Sequence, residues 1–87
     1  MNINVYAVKD AKVGAFLQPF YSQTHGSAIR AFADHCADNT SMPNKHPEDF
    51  ALYYVGAFDD QIGKLQAVDP QLLANASEYA NVTAQRS

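Results

Sequence analysis

Apolar and polar residues alternate from Ile3 to Val8. Ile3, Val5 and Ala7 fall on one side, and Asn4, Tyr6 and Val8 on the other. A two-residue period sends successive side chains to opposite faces of an extended chain, so this stretch predicts a first strand. Lys9 to Lys12 reads as a reversal and Val13 to Phe20 as a returning strand. Pro19 has no N–H for a ladder, which puts that strand at a sheet edge or ends it there. Tyr21 to Gly26 reads as a polar linker.

The period then changes. Ala28, Ile29, Phe32, Ala33 and Cys36 recur at helical spacing and form one apolar stripe, while Arg30, Asp34 and Asp38 lie off it. This predicts a helix over 28–38, with Ser27 as N-cap and Asn39 as C-cap. Arg30 and Asp34 are spaced to pair along the helix. Thr40 to Pro47 reads as a loop that ends in a tight turn at His46-Pro47-Glu48-Asp49.

Phe50 to Phe58 is the most strand-like segment. Simple alternation places Phe50, Leu52, Tyr54 and Phe58 on one face and Ala51, Tyr53, Val55 and Ala57 on the other. Both faces are apolar, so the strand belongs in the middle of a sheet with some cover on each side. Gly56 within it predicts a bulge or a close backbone contact. Asp59 to Gly63 reads as a hairpin loop and Lys64 to Val68 as the returning strand. Asp69-Pro70 then has the form of a helix start, with Leu72, Leu73 and Ala76 as contacts.

The resulting order is β-β-α-β-β with a short C-terminal helical turn. It predicts an α+β fold: a four-stranded, mostly antiparallel sheet with one helix on one face. Residues 1–80 read as a single domain and 81–87 as a frayed polar tail. The helix covers one sheet face. The other, carrying Tyr53 and Val55, packs on another subunit or is the working surface.

Composition narrows the picture. The chain has 87 residues, 47% of them hydrophobic and 17% charged, which excludes highly charged disorder. So short a chain has a modest core and often gains stability from a partner subunit, metal or disulfides. One cysteine, Cys36, allows no internal disulfide. Self-association is the remaining common device, and a homo-oligomer is expected. No basic region followed by a long apolar run opens the chain, and no segment approaches the roughly 20 apolar residues of a membrane span. A free thiol without such a leader fits a reducing cytoplasm and no membrane partner.

The net charge is −3. Residues 1–45 carry four bases and three acids, whereas residues 46–87 carry two bases and six acids. Coating nucleic acid by charge alone does not fit this balance, although a local basic patch does.

Several separated blocks resemble a known family. They are Asn4-Val5-Tyr6-Ala7-Val8-Lys9-Asp10, Phe16-Leu17-Gln18-Pro19-Phe20, Ala28-Ile29-Arg30-Ala31-Phe32, Lys45-His46-Pro47-Glu48-Asp49-Phe50 and Val55-Gly56-Ala57-Phe58-Asp59-Asp60. In this order and spacing the chain resembles the small nonstructural protein of gokushoviruses, a branch of the Microviridae. The resemblance implies a phage protein made in the cytoplasm of the infected bacterium and absent from the mature virion. Members are often labelled DNA-binding and are compared with proteins that assist single-stranded genome synthesis and packaging. The family has no motif-defined active site to carry over.

The residues themselves offer little chemistry. His35 and Cys36 are adjacent on the helix and diverge by about 100°, so they do not share a tetrahedral metal. His25 and His46 lie in separate connections, and no metal or cofactor is expected. Cys36 lies on the apolar stripe, where a thiol is a small core residue. Glu48-Asp49 and Asp59-Asp60 flank one strand, about 30 Å apart at roughly 3.3 Å per residue, too far for an acid–base pair. No phosphate-binding glycine loop occurs. The chain reads as nonenzymatic.

Aromatic residues carry the stronger pattern. Tyr6, Phe16, Phe20, Tyr21, Tyr53, Tyr54 and Phe58 make the strands aromatic-rich, and of these Tyr6, Phe16, Phe20 and Tyr53, with Lys9, Lys12, Arg30, Lys45 and Lys64 among them, form the candidate single-stranded DNA surface. Rings stack unpaired bases while the bases of the protein hold phosphates. The rival is an interaction module that uses its apolar sheet face to bind itself, the phage replication protein or a host factor. The charge map decides between them: bases ringing an aromatic groove favour DNA, and bases scattered among acids favour the rival.

Overall fold

The computed structural model describes residues 1–80; the predicted tail, 81–87, lies outside the described residues. Five strands form one antiparallel sheet: β1 (Asn2–Asp10), β2 (Ala15–Phe16), β3 (Phe20–Ser22), β4 (Phe50–Asp59) and β5 (Lys64–Asn75). The order is β2-β1-β4-β5, with β3 also paired to β1 beside β2. Helix α1 (His25–Ala37) and the short α2 (Met42–Lys45) lie on one face. The α+β class and the antiparallel sheet with a helix on one face are as predicted.

The core lies between α1 and the sheet. Ala28, Phe32 and Cys36 of α1 meet Tyr6 of β1 and Phe50 and Leu52 of β4, all buried. The predicted stripe is therefore the face that packs. The helix starts earlier than expected. Thr24, not Ser27, is the N-cap, and its Oγ1 accepts from the Ser27 amide at 3.0 Å. Ser27 Oγ in turn accepts from the Thr24 amide at 3.3 Å, so the two satisfy each other's free donors in a capping box. The C-cap is Asp38, not Asn39. Among the described residues Arg30 and Asp34 form no ion pair; the salt bridge present joins the Met1 amino group to Asp60 at 3.0 Å.

The predicted strand Val13–Phe20 is two short strands, because Pro19 interrupts the pairing with β1. Lys9 and Asp10 pair with Phe16 and Ala15, and Asn4 to Tyr6 pair with Ser22 to Phe20. Tyr21 and Ser22, read as linker, are strand residues. Within Thr40–Pro47, read as loop, Ser41 caps α2 and Pro43 occupies its first turn, where a missing N–H costs nothing.

The largest departure is at Asp69-Pro70. These residues start no helix; β5 runs through them to Asn75, and a helical turn follows at 77–80. Tyr54 pairs with Gln71 and Gly56 with Ala67, so Val68, Asp69 and Pro70 bulge opposite the single residue Val55. A bulge is where a strand accommodates proline, which has no N–H to offer.

Val55 is also the extra residue against β1, where Val5 pairs with Gly56 and Tyr6 with Tyr54. The side-chain alternation along β4 therefore inverts at this point. Phe58 leaves the Leu52 face and joins the Tyr53 face, and Ala57 makes the opposite change. The predicted bulge and close contact at Gly56 are both present: a Cβ there would lie 2.4 Å from the Gln66 carbonyl oxygen.

Candidate functional site

Cross-strand partners point to the same side of a sheet, so the register defines both faces. The helix side carries Tyr6, Leu52 and Ala74 in the region that α1 covers. Beyond the helix, the same side carries Asn2, Asn4, Ser22, Asp59, Lys64 and Gln66, with the small Ala57 among them. That region is polar because water covers it.

The opposite side is apolar over most of its length, with Lys9 and Asn75 at one end. β1 contributes Ile3, Val5 and Ala7, which pair with Phe58, Gly56 and Tyr53 of β4. On β5, Leu65, Ala67 and Leu72 continue the rows. On the other flank Tyr21 pairs with Val5, and Phe16 with Lys9. Phe16 meets Tyr53 edge-on, with ring centroids 5.4 Å apart, and Tyr21 lies 6.1 Å from Phe58. No described helix or second sheet packs over this side, although Val5 and Ala7 at its centre are buried among its own side chains. Tyr21 is 60% exposed, Leu65 70%, Leu72 50% and Phe16 41%.

The predicted aromatic set divides between the two sides. Phe16 and Tyr53 belong to the uncovered face. Tyr6 does not: it is fully buried beneath the helix, so it offers no ring to an outside base. Its hydroxyl is 2.7 Å from His25 Nδ1, and burial raises its pKa. Phe20 packs on Tyr6 at 5.8 Å, also on the helix side. Tyr21 and Phe58 belong to the aromatic pattern of the strands but not to the candidate set, and Leu65 and Leu72 belong to neither; all four lie on the uncovered face. Tyr21 lay in an assumed linker, and Phe58 was assigned by alternation carried straight through Gly56.

The five bases do not form one track. Lys9 lies on the uncovered face, its ammonium 5.7 Å from the Phe16 ring centre. Among the paired positions of that face it is the charged residue. Lys12 is in the adjoining turn, where its amide donates to Asp10 Oδ1 at 3.0 Å. Arg30 is exposed on α1, on the other side of the sheet. Lys45 borders a shallow polar depression with Glu48 and Asp49. Lys64 stands opposite Asp59, at the far end of β4 from the Lys9 corner.

Other groups offer less. Cys36 is buried and its thiol is pushed up to about 11 by desolvation, which keeps it protonated and unreactive near neutrality. Among the described residues no three His, Cys, Asp or Glu side chains gather as metal ligands. A cleft of about 560 Å³ opens on the helix side between Leu17, Phe20, Phe32, Met42 and Phe50, with Asp10 and His35 among its lining. No helix among the described residues is long and apolar enough to cross a membrane.

Fold and surface together define a two-layer α+β protein with helices on one sheet face and an uncovered aromatic face on the other. Sequence comparison gives its family. The Phage ORF5 protein family matches residues 3–79. Protein ORF5 of Chlamydia phage 1 is 33% identical over 85 residues, covering 91% of this chain and 88% of that protein. The chain belongs to the Phage ORF5 protein family, in keeping with its resemblance to a small protein of gokushovirus-type Microviridae. No solved structure matches it.

Proposed function

We propose that this protein is a nonenzymatic phage accessory protein that works by protein association through its uncovered sheet face. It acts in the cytoplasm of the infected bacterium, during genome synthesis or packaging, and is not part of the mature virion. The observation that carries this reading is the sorting of side chains in the half of the sheet beyond the helix. There the helix-side positions are polar except for the small Ala57, and the opposite positions include Ile3, Val5, Tyr21, Phe58 and Leu65. If both faces met only water, no such sorting would be needed. Charged residues are depleted and aromatic residues enriched at the centres of protein interfaces. The scatter of Lys12, Arg30, Lys45 and Lys64 beside acids or away from the face further favours a protein partner.

A second reading has one specific observation in its favour. At the Lys9 corner a base sits against Phe16, and Phe16 against Tyr53, which is a small stacking platform for unpaired bases of single-stranded DNA. A titration with a single-stranded oligonucleotide, with light scattering in parallel, separates the two. Protein association predicts no measurable affinity at about 50 mM salt, where electrostatic contacts are strong. Where light scattering detects self-association, Leu72→Glu should remove it while the fold survives. Single-strand affinity that falls with Phe16→Ala and Tyr53→Ala would replace it. With Lys9 and Lys12 as phosphate contacts, log affinity would then change with log salt with a slope of about 1.4.

A further inference from the structure

We infer that the occupant of the uncovered face is a second copy of this chain, packed face to face to form a sandwich. The inference rests on the association reading above and names the partner and the mode.

A sheet can associate through its edges or its faces. Here both edges are interrupted. On one flank, β2 and β3 have two and three residues and are separated by Pro19. On the other, Val68-Asp69-Pro70 bulges out of β5 midway along its length. Short edge strands, prolines and bulges are devices that stop strand addition. The outer face has no such device. Apart from Lys9 at one end, its paired positions hold no charge that would have to be buried. Apolar side chains there therefore pack against their own kind without stranding an ion.

Size agrees. Four strands about 4.8 Å apart and nine residues of about 3.3 Å give a face of roughly 19 by 30 Å. Two copies then bury on the order of 1,100 Å², which clears the roughly 1,000 Å² expected of a biological interface and lies at its low end. A two-fold axis through the sheet centre brings the same patch of each copy together, so one sequence supplies both halves. Stacked sheets stand about 10 Å apart, which the Tyr53, Phe58 and leucine side chains are long enough to fill.

The experiment is sedimentation equilibrium of the full chain and three variants. Tyr21→Glu and Leu65→Glu lie on the outer face at opposite flanks of the sheet, on residues that are exposed in one copy. Gln66→Glu is the neighbour of Leu65 on the polar side of the same strand. The wild type is expected to be a dimer at micromolar concentration. Tyr21→Glu and Leu65→Glu should each raise the dissociation constant about tenfold or more. Gln66→Glu should change it less than about threefold. The wild-type unfolding midpoint should also rise with protein concentration, a readout that holds even where a charged variant fails to fold.

A 9.5 kDa mass at every concentration, with a midpoint independent of concentration, would overturn the second-copy inference. It would leave the face as a surface for a different protein. A dimer that both glutamate variants leave intact would overturn the use of the face itself. A dimer sensitive only to Leu65→Glu would point to the β5 edge and overturn the face-to-face mode.

Discussion

Replacing Gly56 with alanine tests the inverted alternation on which the outer face depends. The new Cβ would lie 2.4 Å from the Gln66 carbonyl oxygen and 3.3 Å from its carbon. An ordinary carbon contact needs about 3.5 Å, so the oxygen must retreat by roughly 1 Å. That oxygen is main chain in a paired strand and does not swing away as a side chain would. Overpacking costs about 1–3 kcal/mol, and a backbone obstruction belongs at the upper end, near 3 kcal/mol. Gly63→Ala is the control. Gly63 has φ +70° in the hairpin turn but nothing within 4 Å of an added Cβ, so only the backbone penalty applies. That penalty is about 1 kcal/mol. For a chain of this size total stability is about 4–13 kcal/mol, so the difference is readily measured. Urea unfolding at one fixed protein concentration should place Gly56→Ala about 2 kcal/mol below Gly63→Ala. With a slope of about 1 kcal/mol/M, the midpoints differ by roughly 2 M. If the two variants unfold within about 0.5 kcal/mol of each other, Gly56 makes no close approach and the bulge geometry is wrong.

Cys36 should give stability a pH dependence. Its thiol is raised from 9.0 to about 11 by burial, so the folded chain keeps a proton that the unfolded chain loses. Stability is full below about pH 9 and falls as pH rises toward 11, by at most about 3 kcal/mol. Urea midpoints across that range should show the fall, and Cys36→Ala should remove it while leaving the later loss from Tyr6. Rapid labelling of the folded thiol at neutral pH would refute the buried placement. Tyr6→Phe deletes the hydroxyl 2.7 Å from His25 Nδ1 and should cost about 1 kcal/mol in the same assay, with secondary structure unchanged. Pro70→Thr restores an N–H in the β5 bulge and should increase thioflavin-positive aggregation on agitation. No increase would mean that the proline does not protect that edge.

Where local pattern and tertiary structure agreed, the fold was legible. The α1 stripe is buried because residues four apart stack on one side of a helix and the sheet presents Tyr6, Phe50 and Leu52 to it. The β4–β5 hairpin was readable from a polar loop ending in glycine. Asp69-Pro70 was misread because N-cap and proline chemistry at a helix start is the same dipeptide that a strand bulge tolerates. Only the pairing with β4 decides between them. The breadth of the candidate surface was less legible still. Phe16, Tyr53 and Lys9 were identified, but Tyr6 and Phe20 went to the core because a tyrosine at strand spacing reads alike on either face. Arg30, Lys45 and Lys64 were grouped by charge, and their separation is a property of topology alone.

The bulge at Val55 does more than correct an assignment. With uninterrupted alternation, Phe58 would lie on the helix side beyond the reach of α1, among Asn4, Ser22 and Gln66. Ala57 would take its place on the outer face. A large ring would then meet water beside polar side chains, and a methyl group would face Tyr21. The extra residue exchanges these positions and gives the outer face its second aromatic pair, Tyr21 with Phe58. The close packing of Gly56 on Gln66 keeps the strands together through this irregularity. An irregularity in a central strand weakens its ladder locally, and here its consequence is a continuous apolar surface. That arrangement is costly for a solitary chain and favourable for one that packs this face against a partner.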